Sequence, residues 1–183
     1  MKKFNLQKKF LFFLVFILVF AGIAEARTSR TQNIANLFMR VNPRLKANKA
    51  TDYAKVVIHA AEKYSQDPYA IAAIIVHEST VNPNAISKGG DYGLMQIRWK
   101  VHEKAIKKQF PRVKRAKDIL DVRINVSYGT QIFADCMKKA GNNLRGGILR
   151  YSAGNERLAN KVLSTVKELQ GGSAKQVKSK KRR

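Results

Sequence analysis

The run from Tyr69 to Val76, Tyr-Ala-Ile-Ala-Ala-Ile-Ile-Val, constrains this chain more than any other segment. It follows Asp67-Pro68, a capping residue and then a proline at the first helical position, where the missing N–H costs nothing. The run is apolar on every side of a helix, and a helix of that kind lies at the centre of a domain. Just beyond it stands Glu78. A carboxyl at the edge of a core is hard to ionise, so its pKa should rise. An acid still protonated near neutral pH is what protonation of a glycosidic oxygen requires.

The rest of the chain also reads as helices, with few alternating strand patterns. Thr51-Asp52 is predicted to cap a helix whose Val56, Val57, Ala60, Ala61 and Tyr64 share one face. Asp121 is predicted to start another that runs to Gly141, with Ile124, Tyr128, Ile132 and Phe133 inward. A short helix is expected over Ile148 to Ser152. The last has Asn155 as its cap, Leu158, Val162, Val166 and Leu169 inward, and an expected stop at Gly171. Residues 80–92, dense in Asn, Gly and Pro, read as loop. The expected fold class is all-α: a single domain with a buried central helix wrapped by others.

Four lysines, an apolar run from Phe10 to Ala24 and the A-x-A site Ala24-Glu25-Ala26 make residues 1–26 a signal peptide cut near Ala26. The alternative is an uncleaved membrane anchor. Fifteen helical residues reach only about 22 Å, short of the roughly 30 Å hydrocarbon core. The expected division is then 1–26 signal peptide, 27–50 N-terminal segment, 51–170 main domain and 171–183 basic tail. The expected location is periplasmic or secreted.

The formal net charge is +24, from 36 Lys plus Arg against 12 Asp plus Glu. Such a surface favours anionic partners. Arg98 to Lys117 holds nine basic residues against Glu103 alone. That stretch reads as a solvated helical face or as an attraction to anionic envelope polymers. Only Trp99 and Phe110 are aromatic there, so nucleic acid is not an expected partner. One cysteine excludes an intrachain disulfide framework, and three scattered histidines show no metal-ligand spacing. No metal or cofactor is implied.

The loop after Glu78 offers groups that suit a sugar. Asn82, Asn84, Ser87 and the Gly89-Gly90 turn supply amide, hydroxyl and backbone groups, and Gly93-Leu94-Met95-Gln96-Ile97 brings back apolar residues and one amide. Tyr151-Ser152-Ala153-Gly154 adds an aromatic ring beside a small-residue turn. His77 adjoins Glu78, but successive helical residues point about 100° apart. It reads as a flanking or packing residue, as does His59. Cys136 reads as buried and apolar.

These segments resemble one family. HESTVNPNAISKGGDYGLMQI is similar to the catalytic segment of the soluble lytic transglycosylases, and NVSYG and YSAG resemble two later motifs of that family. The resemblance covers about residues 50–170. It implies a lysozyme-like α fold with a substrate cleft. It also implies cleavage of peptidoglycan between N-acetylmuramic acid and N-acetylglucosamine without net hydrolysis, leaving a 1,6-anhydro end. By the same resemblance Glu78 is the catalytic acid and base, and Ser79, Ser87, Met95, Gln96, Tyr151 and Ser152 are substrate-binding. Asn125 and Gly129 support the helix behind the cleft. Ser152 stands where the family usually has Asn. Asp91 stands where small residues are more usual, and the related goose-type lysozymes carry extra acids there. Asp91 is thus a candidate for positioning water, which would make the enzyme a hydrolytic muramidase. A third reading is a non-catalytic wall-binding or secretion-apparatus protein. Peptidoglycan strands are the expected partner, with a secretion or conjugation apparatus as a further candidate.

Overall fold

The computed structural model describes residues 25–180. Residues 1–24, most of the expected signal peptide, and 181–183, the end of the expected tail, lie outside them. Seven α-helices carry the described chain: α1 (residues 25–41), α2 (Ala47–Lys63), α3 (Pro68–Ser79), α4 (Trp99–Gln109), α5 (Val122–Lys139), α6 (Leu144–Tyr151) and α7 (Glu156–Lys180). A 3₁₀ turn, Ala116–Leu120, precedes α5. Between α3 and α4 lies a small antiparallel pair, β1 (Asp91–Tyr92) and β2 (Ile97–Arg98), in register Asp91 to Arg98 and Tyr92 to Ile97. The all-α expectation holds. Among the described residues, no helix is long and apolar enough to cross a membrane.

The helix that opened the sequence argument is the centre of the fold. Asp67 accepts a hydrogen bond from the Tyr69 N–H, Pro68 sits in the first turn, and every residue from Tyr69 to Val76 is buried. The helix packs against α7 on one side and α2 on another, while α5 packs on α2 and α6. The larger of two apolar clusters includes Ile34, Leu37 and Phe38 of α1, Ile71, Ile74 and Ile75 of α3, and Val162 and Val166 of α7. A smaller cluster, with Ile97, Ile106, Ile119, Ile124 and Tyr128, lies under the α4 side. The segment between α3 and α4 is stitched to both clusters. Val81, Leu94 and Met95 enter the large one, and Ile97 and Tyr92 the small one.

Three details differ from the sequence expectations. α2 begins at Ala47, not at Thr51-Asp52, and the Thr51 hydroxyl instead donates to the Ala47 carbonyl inside the helix at 3.0 Å. The segment before residue 47, for which no element was expected, supplies α1. α7 does not stop at Gly171 but continues to Lys180. Gly171 does not adopt the left-handed backbone of a helix stop. Each glycine inside a helix costs only about 1 kcal/mol against Ala, which flanking helix formers such as Gln, Lys and Ala can offset.

Candidate active site

α3 ends abruptly one residue after Glu78. Thr80 and Val81 both take left-handed backbone, with φ of 50° and 59°. For β-branched residues that conformation costs about 1–3 kcal/mol each and survives only where the surroundings impose it. Here Val81 is fully buried and its carbonyl accepts from Asn42 Nδ2 at 3.2 Å. The chain is thus thrown back over the helix end, where Glu78 lies.

Glu78 is half-buried and, among the described residues, takes no hydrogen bond or ion pair. Burial, and then the negative charge of Asp91, push its carboxyl from an ordinary 4.5 to about 7. The sequence expectation of a raised acid is met by the cause proposed for it. His77, the next residue, turns away: Nε2 lies 2.9 Å from Thr165 Oγ1 on α7, and burial lowers its pKa. It is a packing residue, as expected.

Asp91 and Ser87 form a closed turn. The Ser87 hydroxyl donates to Asp91 Oδ2 at 2.8 Å and accepts from the Asp91 N–H at 3.0 Å. Arg98, directly across the strand pair, grips the same carboxylate at both oxygens, Nε on Oδ1 and Nη2 on Oδ2 at 2.9 Å. These bonds hold the Asp91 carboxyl below the usual carboxylate range, those from Arg98 most strongly. Sequence reasoning placed Arg98 only in a basic stretch and did not pair it with Asp91.

The Gly93–Gln96 turn rests on α5. Gly93 has φ of +76°, and a Cβ there would fall 2.3 Å from Asn125 Nδ2. Asn125 is fully buried and satisfied at both ends: its oxygen accepts from the Met95 N–H at 2.8 Å, and its nitrogen donates to the Tyr92 and Ile119 carbonyls at 2.8 and 3.0 Å. One turn later Gly129 lets Met95 settle, since a Cβ there would come within 2.6 Å of its sulfur. Met95 is completely buried, and its carbonyl accepts from the Tyr151 hydroxyl at 2.7 Å. Asn125 and Gly129, which the resemblance implied as supports of the helix behind the cleft, both lie on α5 and back this turn. The Tyr151 phenol is pushed well up, first by burial and then by the charge of Glu78.

The remaining candidates point elsewhere. Gln96, also left-handed at φ 46°, gives its amide nitrogen to the Gly93 and Ala85 carbonyls at 2.9 and 3.3 Å. The Ser79 hydroxyl is buried and donates to the Ile75 carbonyl. The Ser152 hydroxyl donates to Ile148 at 2.9 Å, back along its own helix. Glu78, Asp91 and Tyr151 thus form one electrostatic neighbourhood, while Ser79, Met95 and Ser152 act as framework in this structure. A cavity of about 750 Å³ lies away from it, lined by Tyr53, Val56, His59, Phe110 and Arg123 among others. None of its lining residues was expected at the site.

Residues 55–170 match the family model described as the transglycosylase SLT domain. Among solved structures the chain is similar to an inactive mutant of the lytic transglycosylase Slt from Pseudomonas aeruginosa, at 18% identity and a TM-score of 0.50. That likeness, one of fold, covers 61% of this chain and 20% of the other, so this chain spans about a fifth of that protein's length. With the raised acid, the turn behind it and the family model all on the same stretch, the chain belongs to the transglycosylase SLT domain family, that of the lytic transglycosylases.

Proposed function

We propose that this protein is exported through its first 26 residues and cleaves peptidoglycan strands between N-acetylmuramic acid and N-acetylglucosamine, leaving a 1,6-anhydro end. The observation that carries the reading is the contrast between its two neighbouring carboxyls. Glu78 is untied and held up to about 7, while Asp91 is tied at both oxygens and held down. One is built to carry a proton and the other is not.

In this mechanism protonated Glu78 donates to the bridging oxygen as the bond to C1 of the muramic acid breaks. Positive charge develops on the sugar ring. The ionised Glu78 then accepts the proton of the same sugar's C6 hydroxyl as that oxygen attacks C1. One carboxyl serves both steps, and the nucleophile is already tethered, which favours it entropically. An acid near pH 7 suits both duties, since each protonation state is well populated there.

The substrate is anionic through its stem peptides. Lys100, Lys104, Lys108, Lys114 and Lys117 are exposed on α4 and the turn after it, and none makes an ion pair among the described residues. That face supports attraction to the wall or to other envelope polyanions.

The test is digestion of purified sacculi, with the released muropeptides weighed by mass spectrometry. Wild type should release products one water lighter than reducing-end fragments. Glu78→Gln should lower turnover by about 10²–10⁴, the usual worth of a positioned acid and base, with its fold intact by circular dichroism. Full activity in that variant would end the assignment.

A further inference from the structure

The Ser87–Asp91–Arg98 clasp has a use that the single-acid mechanism leaves open. We propose that Arg98 determines the product of this site: by gripping both oxygens of Asp91, with Ser87 on the second, it withholds a second carboxylate from water and leaves the substrate's C6 hydroxyl as the nucleophile. The inference rests on the transglycosylase function proposed above.

The clasp is built rather than incidental. Strand pairing sets Arg98 opposite Asp91, and the Ser87 N–H donates to the Asp91 carbonyl at 3.0 Å, closing the turn from the backbone side. Gly89 leaves the room needed. A Cβ there would lie 3.1 Å from Arg98 Nη2 and 3.5 Å from Asp91 Oδ2. The Asp91 side chain keeps only 19% of its exposure, whereas Arg98 keeps 50%. Loss of the guanidinium would therefore open the carboxylate to solvent. A carboxylate held by two parallel charge-assisted bonds is geometrically fixed and a poor proton acceptor.

The two possible reactions differ in the nucleophile and in who receives its proton. In hydrolysis, water oxygen bonds to C1, its proton passes to Asp91, and the Glu78 proton goes to the leaving oxygen. One water is consumed and a reducing end results. In the intramolecular route the C6 oxygen bonds to C1, its proton returns to Glu78, and no water is consumed. Asp91 lies close enough for its charge to reach Glu78, so an unclasped Asp91 would place a second base beside the same sugar. Arg98 is a positioning residue in this scheme and need not touch substrate.

The experiment compares wild type, Arg98→Gln and the double variant Arg98→Gln/Asp91→Asn on purified sacculi in oxygen-18 water. Wild type is expected to give anhydro ends. Arg98→Gln should raise the share of labelled reducing ends at least about tenfold, a small part of the 10²–10⁴ that a well-positioned base can supply. The double variant should return to anhydro ends. Mere structural damage would lower both products together and leave their ratio unmoved. If Arg98→Gln does not fold, Arg98→Lys keeps the charge but not the two-point grip, and a smaller rise is expected. A folded, active Arg98 variant that makes only anhydro ends overturns the inference and leaves the proposed function standing. Wild type that already releases reducing ends, or cleaves nothing, overturns both.

Discussion

Replacing Glu78 by Gln should stabilise the protein, and only above a definite pH. The folded protein holds this carboxyl near 7 against an ordinary 4.5, mainly through burial. Between those values the folded state binds a proton that the unfolded chain releases, so stability falls as pH rises through that window. Below about pH 4.5 both states are protonated and nothing is lost. At about 1.36 kcal/mol per pKa unit, the ionised side chain costs the folded state up to about 3 kcal/mol above pH 7. That is an upper figure, because Glu78 keeps part of its surface in water. Gln has the same shape and cannot ionise. For a chain of this size about 3 kcal/mol corresponds to a gain of roughly 6–12 °C in Tm. The assay is thermal unfolding of both proteins at pH 4 and pH 8.5. The expected result is coincident Tm values at pH 4 and a more stable variant at pH 8.5. Asp91 and His77 titrate in both proteins and cancel to first order. A gap of equal size at both pH values, or a less stable variant at pH 8.5, would refute the reasoning that burial holds the acid up.

Three further outcomes are expected. Asp91→Asn removes the second cause of the Glu78 shift, so the fall of kcat/KM on the alkaline side should move to lower pH, yet stay above an ordinary carboxyl because burial remains; a pH–rate profile reads this directly. Gly129→Ala pushes a methyl group to within 2.6 Å of the Met95 sulfur, and should cost about 1–3 kcal/mol in denaturant unfolding and lower turnover as the Met95 turn shifts. Binding of Glu78→Gln protein to sacculi should weaken several-fold between low salt and about 0.15 M, where the screening length shortens to about 8 Å, and Lys104→Glu/Lys108→Glu should flatten that dependence.

What the sequence discloses here is what local rules control. The Asp67-Pro68 start and the all-round apolar run needed only a capping preference and a hydropathy pattern, and α3 is buried at every residue from Tyr69 to Val76. Asp121 as a cap was equally legible, and its carboxylate accepts from the Arg123 and Ile124 N–H groups. α1 carried a readable signal in Ile34, Leu37, Phe38 and Val41, spaced by three, one and three residues, but its place just behind the apolar run Phe10 to Ala24 hid it. The Asp91–Arg98 pair was not readable, because it depends on the register of a two-residue strand pair across a turn. Nor could spacing show that the Ser79 and Ser152 hydroxyls bond back into their helices, since that depends on rotamer and not on position.

Asn125 sets a rule for substitution at its site. It serves three separate stretches of backbone, at Tyr92, Met95 and Ile119, with one oxygen and one NH₂. Leu would fill the same volume and strand all three main-chain groups without partners in a place closed to water. Asp would keep the acceptor for Met95 but turn a negative charge on two carbonyls that need a donor. Gln would carry the amide one methylene too far, into a gap that Gly93 has already closed. The turn that faces the α3 carboxyl is therefore held to one amino acid on α5, and its tolerance to drift is set from behind.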